Sequence, residues 1–393
     1  MHICGIIAEY DPFHTGHAYQ IKTTKDRLGE DCAIVCVMSG NWTQRAGPAI
    51  VDKHQRARFA LMGGADLVLE LPLPYAISSA EWFAHGGVSI LNATGIVTHL
   101  CFGSECGNIS LLQQAANCLD CDEYREFLRN EIDKGISFPV ARQNAVAQLL
   151  GDAANCLSTP NNNLGVEYLR ALSRCGSAIT PITVQRQGAG HGEGPQDGYA
   201  SATYLRQLLH KKCFDDTAPF LLPCEAEHLY KDEFADISLA ERAIIARLRQ
   251  LTAEELAALP DCGEGLSNRL HQAIRQGTSL DEIIMLAKSK RYTHSRLRRI
   301  LLWAYLGLSA DDRPSVPPYL RVLGMNQTGR MLLREISSKS NLPVLTKPAH
   351  VRQMSAPAQQ LFELEARATD LYELCFPTLS PCGKEWTQGP VIL

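Results

Sequence analysis

The sequence predicts an α/β fold: a parallel-sheet, Rossmann-like domain over residues 1–215, followed by a mostly helical C-terminal domain over 216–393. Three observations predict it. Short apolar runs alternate with helix-forming segments through the first hundred residues, which implies βαβ crossovers and a parallel sheet. The 393 residues amount to roughly 2.6 average domains, so two domains are expected. From about Asp216 onward strand signals fade; Leu, Ala, Arg and Glu dominate, with breaks at Pro260, Gly277, Gly307 and the 314–318 proline cluster.

The first apolar run, 3–8, reads as a strand and 17–28 as the helix after it. Runs 32–38, 66–71 and 98–102 give three more strands, separated by helices at 52–62, capped by Gly63-Gly64, and at 78–92. Residues 119–149 read as a helical insertion, 164–173 as a helix, 179–185 as a further strand and 202–210 as a helix; 188–198 is a Gly-rich loop. Ligands of such sheets bind at the carboxyl ends of the strands, which gathers the loops after Ala8, Met38, Leu71 and Phe102 around one crevice.

Composition excludes several classes. Hydrophobic residues at 45% and charged residues at 20% are incompatible with wholesale disorder. Net charge is 38 − 42 = −4, so a nucleic-acid contact requires a local patch rather than a basic protein. The longest apolar run, 32–38, has strand length and no membrane span is expected. MHICGIIAEYDPFH lacks the basic and long apolar parts of a secretory signal, so the fourteen cysteines are expected to be reduced thiols of a cytoplasmic protein. Cys118-x-x-Cys121 and Cys32-x-x-x-Cys36 have no second pair to complete a four-ligand set, so no metal site is expected, and Cys32 and Cys36 read as core.

The strongest chemical signal is Glu9-Tyr10-Asp11-Pro12-Phe13-His14-Thr15-Gly16-His17, directly after the first strand. Pro12 bends the chain away, Gly16 permits close backbone approach, and His14 and His17 sit three apart at a helix start, so both imidazoles can face one point. The free N–H groups behind them favour anions, and the set suits the charge that grows on an α-phosphate during nucleotidyl transfer; the bland alternative is a pair of capping or core histidines. A second phosphate candidate is Ser201-Ala202-Thr203-Tyr204-Leu205-Arg206: Ser201 as N-cap, Thr203 and nearby amides toward phosphate oxygens, Arg206 as a forked cation.

A third signal is the run Lys288, Lys290, Arg291, Arg296, Arg298 and Arg299, interleaved with Tyr292 and His294 as base-stacking candidates. Arg321, Asn326, Gln327 and Arg330 are candidates to extend it; the alternative is a solvated helix face. Asn41, Gln44 and Arg45 follow the second strand and either hold a small substrate or order their loop. Glu70 and Glu105 sit at other strand ends, as candidates for Mg²⁺ or base positioning.

Together these motifs resemble the HxGH nucleotidyltransferase superfamily and, within it, the bacterial tRNA(Met) cytidine acetate ligases. The matching stretches are GIIAEYDPFHTGH, VMSGNWTQRAGPAIVDKHQRARFAL, GADLVLELP, FGSE, PNNNLGVEYL, SATYLR, KRYTHSRLRR and RVLGMNQTG, running from Gly5 to Gly329. The resemblance implies an HxGH nucleotidyltransferase domain that activates acetate with ATP as acetyl-adenylate. It implies that the acetyl group then goes to N4 of the wobble cytidine of elongator tRNA(Met), with the helical domain on the anticodon arm. It assigns catalysis to His14, His17, Ser201, Thr203 and Arg206. It assigns ATP to Ile7, Ala8, Glu9, Tyr10, Asp11, Pro12, Phe13, His14, Thr15, Gly16, His17, Ala18, Tyr19 and Gln20, with Gly103, Arg186 and Asn162, or Asn161 one register away. Asn41, Gln44 and Arg45 become candidates for acetate or the cytosine edge, and Mg²⁺ is expected with ATP. The chain departs from the family pattern at Asp11, Thr15 and Asn163 and in the GAGHGEG loop. Two other readings remain at this stage, a small-molecule adenylyltransferase and a non-catalytic RNA-binding protein.

Overall fold

A computed structural model describes residues 1–188, 194–231, 233–263 and 265–393. Its centre is one sheet of eight strands: β1 Ile3–Ala8, β2 Ala33–Ser39, β3 Leu67–Leu71, β4 His99–Ser104, β5 Thr180–Gln185, β6 Leu320–Met325, β7 Val344–Leu345 and β8 Val391–Ile392. The order is β5-β4-β1-β2-β3-β6-β7, with β8 on β6. The first five strands are mutually parallel, so their carboxyl ends share one edge, as expected.

Side-chain alternation explains why these runs are apolar throughout. Ile3, Ile7, Val35, Val37, Leu67 and Leu69 enter the core on one face; Cys4, Ile6, Ile34, Cys36 and Val68 enter the core on the other. A sheet covered by helices on both faces needs apolar residues at both parities. Cys32 and Cys36 are buried free thiols in this second core, and among the described residues no cluster of three metal-ligating side chains exists. Among the described residues no helix is long and apolar enough to cross a membrane.

The second half is less purely helical than expected. Helices Ile237–Leu248, Leu266–Gln276, Leu280–Ala287 and His294–Leu306 do form an apolar cluster of their own, into which Trp42, Leu73 and Ile77 insert. Beyond it, however, the chain returns to the sheet. LRVLGM becomes β6, antiparallel to β3, because its six residues are all buried and cover the edge that β3 would otherwise leave open.

That return is fixed by charge. Lys53, Glu70, Arg321, Glu365 and Glu385 are all buried together. Lys53 Nζ lies 2.7 Å from Glu70 and also meets Glu385; Arg321 meets Glu385, lies 3.3 Å from Glu70, and lies 3.9 Å from Glu365. Burial pushes the Glu365 carboxyl up to about 8, while Arg321 and Lys53 hold Glu385 down at about 2 despite its burial. Glu70 and Arg321 are therefore structural: neither faces a ligand, which corrects the Mg²⁺ and RNA readings of these two residues. Asn326 likewise caps the helix Gln327–Lys339 and bonds Asp66.

The SGNWTQR loop is tied to the same late segment. Trp42 Nε1 donates to Ala368 O at 2.9 Å, Asn41 Nδ2 donates to Thr369 Oγ1 at 3.2 Å, and Tyr372 OH donates to Ala49 O at 2.8 Å. Replacing Glu385 by alanine strands two buried cations on one carboxylate. Urea unfolding of Glu385→Ala is expected to show a loss of about 3–5 kcal/mol, with Glu385→Gln losing less.

Candidate active site

The site begins where β1 ends. Tyr10 takes a left-handed backbone (φ 48), its ring buried and its hydroxyl 3.3 Å from Cys36 Sγ, and the Asp11–Pro12 peptide is cis. The chain then enters the helix Thr15–Leu28 through His14 as N-cap. Helix N-termini leave backbone N–H groups without partners, and here imidazoles supply the acceptors. His14 Nδ1 accepts from Gly16 N at 3.0 Å, and His17 Nδ1 accepts from His14 N at 3.2 Å, a reciprocal capping box.

This geometry decides the tautomer. A ring nitrogen that accepts an N–H bond carries no proton, so in each ring the proton sits on Nε2. The rings lie 3.8 Å apart at 30°, and both line the crevice at the strand ends. Burial, with Arg186 and Arg206 nearby, lowers the His14 pKa to about 3; burial, His14 and Arg186 hold His17 well below its usual range. The pair is thus neutral, presenting two N–H donors rather than two charges. Gly16 is required: a Cβ there would lie 2.8 Å from His14 Cε1.

The crevice has a volume of about 540 Å³ and takes residues from the ends of β1 and β4 and from the loops after β2, β3 and β5. One half is cationic. Thr203 Oγ1 accepts from Arg45 Nη1 at 3.0 Å and from Arg206 Nη2 at 3.2 Å; Arg206 also pairs with Asp11 at 3.2 Å. Ser201 caps the helix Ala202–His210, accepting from Tyr204 N at 3.3 Å. Arg186 joins them at the end of β5, and burial lowers the pKa values of both Arg45 and Arg186. Three peptide carbonyls at the strand ends, of Glu9, Ser39 and Gly40, are gathered by Arg56, buried in the core, which also donates to Val51 O.

The rest of the lining is largely apolar. Asn161, Leu164 and Tyr168 line it from one face of the helix Pro160–Arg174, with Tyr168 against the ring of Phe102 and with Phe83 also in the wall. Gly165 lets that helix approach, since a Cβ there would meet Phe102 at 2.6 Å. Tyr168 OH is buried without a hydrogen-bond partner, which costs about 1–3 kcal/mol unless a ligand supplies one. Glu9 borders this half; its Oε1 accepts from Gln44 N at 2.7 Å, and burial raises its pKa. Neither Tyr168 nor Arg56 stood out in the sequence; the i, i+3, i+7 spacing of Asn161, Leu164 and Tyr168 was the available signal.

Several expected residues land elsewhere. Pro12, Phe13, Thr15 and Ala18 do not line the crevice, and Phe13 packs beneath Gly63. Asn41 is buried in structural bonds with Thr369 and Lys53 N. Glu105 accepts from Asn161 N and Nδ2, Asn162 N and Thr159 Oγ1, so it caps the PNNN helix rather than serving a metal. Asn162 spends its Oδ1 on the Glu105 and Cys106 amides, leaving Asn161 as the one of the two at the crevice wall. Asn163 binds Leu157 O and Thr159 O. Residues 189–193 of the Gly-rich loop lie outside the described residues.

Of the basic run, Lys288, Lys290, Arg291, His294 and Arg298 are exposed. Tyr292 is buried in the helical core, so it is not a free stacking platform; Arg296 lies over its ring at 5.3 Å and donates to Asp261 O. Ser295, Arg298 and Arg299, one face of the helix His294–Leu306, line the mouth of the same crevice as the histidines. Opening off the crevice beside His14 and His17 is a small cavity bounded by Tyr19, Val184 and Tyr199.

The tautomer assignment is testable. In the ¹⁵N NMR spectrum both imidazoles are expected as Nε2–H forms that do not titrate between about pH 5.5 and 8. Linkage gives the sign for stability. The unfolded chain protonates these rings below about pH 6.5, the folded chain protonates His14 only near about 3, so stability falls as pH drops through that window. In urea titrations His14→Gln is expected to flatten that slope.

Comparison with known proteins agrees with this geometry. The HIGH Nucleotidyl Transferase family profile matches residues 1–385. The tRNA(Met) cytidine acetate ligase of Acetivibrio thermocellus is 36% identical, covering 100% of both chains, and that of Clostridium novyi is 38% identical over 88% of this chain and 90% of its own. The crystal structure of Thermotoga maritima TmcAL superimposes with a TM-score of 0.94 at 31% identity, and its complex with alpha-thio ATP with 0.92 at 32%; each comparison covers 100% of both chains. The chain belongs to the HIGH nucleotidyl transferase family and, within it, to the tRNA(Met) cytidine acetate ligases.

Proposed function

We infer that this protein is an ATP-dependent ligase that activates acetate as acetyl-adenylate and transfers the acetyl group to N4 of the wobble cytidine of elongator tRNA(Met), forming N4-acetylcytidine. The observation that carries the reading is the pair of Nε2–H donors on His14 and His17 in a cation-lined crevice at the strand ends. The full-length likeness to ligases of that name supports it, and disfavours a small-molecule adenylyltransferase or a non-catalytic RNA binder.

In this reading the adenine and ribose lie on the side of the crevice lined by Gly16, Gly103, Val184 and Arg186, and the α-phosphate meets the two imidazoles. Acetate attacks phosphorus, the bond to the β-phosphate oxygen breaks, and pyrophosphate leaves past Arg45, Thr203 and Arg206. Neutral donors stabilise the extra negative charge of the transition state, while the arginines offset repulsion between acetate and triphosphate. Mg²⁺ is expected to accompany ATP. Asp11 is occupied by Ile50 N and Arg206, and one oxygen of Glu9 by Gln44 N, so these residues do not make a protein-held metal site. The helical part, led by Lys288, Lys290, Arg291, His294, Arg298 and Arg299, is proposed to grip the anticodon arm, and the cytoplasm is the proposed location.

Acetate-dependent ATP–pyrophosphate exchange tests the first step. His14→Ala and His17→Ala are each expected to lower it by about 10²–10³-fold; wild-type exchange in the double variant would remove the assignment. For tRNA binding, phosphate contacts from the five cations Lys288, Lys290, Arg291, Arg298 and Arg299 predict a slope of log affinity against log salt of about −3.5, at about 0.7 per contact. Replacing Lys288, Lys290 and Arg291 by serine is expected to shallow that slope by about 2.

A further inference from the structure

The proposed reaction needs a place for the acceptor base, and the crevice has an apolar niche to which the activation step described above gives no role. Its walls are Phe83, Phe102 and Leu164, and two polar groups serve it. Tyr168, 2% exposed, has a hydroxyl without a partner. Glu9 uses one carboxylate oxygen on Gln44 N, and among the described residues the other meets no donor.

We propose that this niche is the acceptor-cytosine subsite, with Glu9 as the base that removes the N4 proton and Tyr168 as the donor to cytosine N3 or O2. The proposal rests on the ligase reading above. Three features select the ligand. A carboxylate substrate is repelled by Glu9, whereas an exocyclic amine offers it an N–H. Flat apolar walls suit an unstacked pyrimidine, and proteins that act on a base draw it out of its stack into such a pocket. The mouth of the crevice carries Arg298 and Arg299, placed for the phosphates flanking an inserted nucleotide.

The chemistry balances. The N4 lone pair attacks the acetyl carbonyl carbon of acetyl-adenylate and a C–N bond forms. The bond from that carbon to the phosphate oxygen breaks, and AMP leaves. Glu9 takes the N4 proton and returns it to solvent.

Synthetic acetyl-adenylate supplied to tRNA(Met) isolates this step. The wild type is expected to acetylate with a rate that rises with pH to a plateau. Glu9→Gln is expected to lower the rate by about 10²-fold or more and abolish that rise, as for loss of a general base. Tyr168→Phe, which keeps the ring, is expected to lower the ratio of acetyl transfer to acetate-dependent pyrophosphate exchange by about tenfold, the loss of one hydrogen bond. Wild-type transfer from acetyl-adenylate in both variants overturns the proposal. So does a raised KM for ATP in exchange by Tyr168→Phe with an unchanged ratio, which would put adenine in the niche. A wild-type enzyme with no acetate-dependent exchange overturns the ligase reading itself, a result separate from either variant's.

Discussion

Lys53, Glu70, Arg321 and Glu385, with the buried Glu365 beside them, form the constraint on which the molecule depends. Removing charges from water costs several kcal/mol each, so such a cluster persists only if every member is matched. Here the match joins three stretches remote in sequence: the helix after β2, the middle of the sheet, and the segment near residue 385. Because Asn41 and Lys53 share a hydrogen bond, the cluster also sets the start of the loop that carries Gln44 and Arg45 into the crevice. A wholly apolar junction would hold the same elements together, but its packing would tolerate slippage that this set of fixed partners does not.

The site separates two electrostatic tasks. Positive charge sits on Arg45, Arg186 and Arg206 along the crevice, whereas His14 and His17 are uncharged donors whose orientation is locked by the helix N-terminus. Using Nδ1 as the helix cap leaves the proton on Nε2, so one bond both starts a helix and fixes a donor that faces the crevice. Glu9 lies between these arginines and Tyr168, held by Gln44 N and within reach of the charges on Arg45 and Arg206.

Much of this was legible in the sequence, because the first half is built from local rules. The five parallel strands, the His14–His17 pair and the Ser201 cap each follow from short-range pattern. What was missed depends on contacts across hundreds of residues. β6 has only six residues and is followed at once by a helix cap, so it does not stand out from helical surroundings. Arg321 reads as a surface cation beside other cations, and only its position inside the sheet shows that it is matched by buried carboxylates. Tyr292 fails in the same way: an aromatic among cations looks like a stacking platform until its ring is found inside the helical core. Tyr168 carries no signal beyond its helical spacing, since an unmet hydroxyl is a property of surroundings.

The return of β6 to the edge of β3 has a consequence during synthesis. Once β3 has emerged from the ribosome, its outer side offers unpaired peptide groups to any neighbouring nascent chain. Some 250 further residues must be translated before Leu320–Met325 covers them, and Trp42 waits longer still for Ala368. At elongation speeds of about 5–20 residues per second, that interval lasts on the order of tens of seconds, long enough for chaperones to guard the seam.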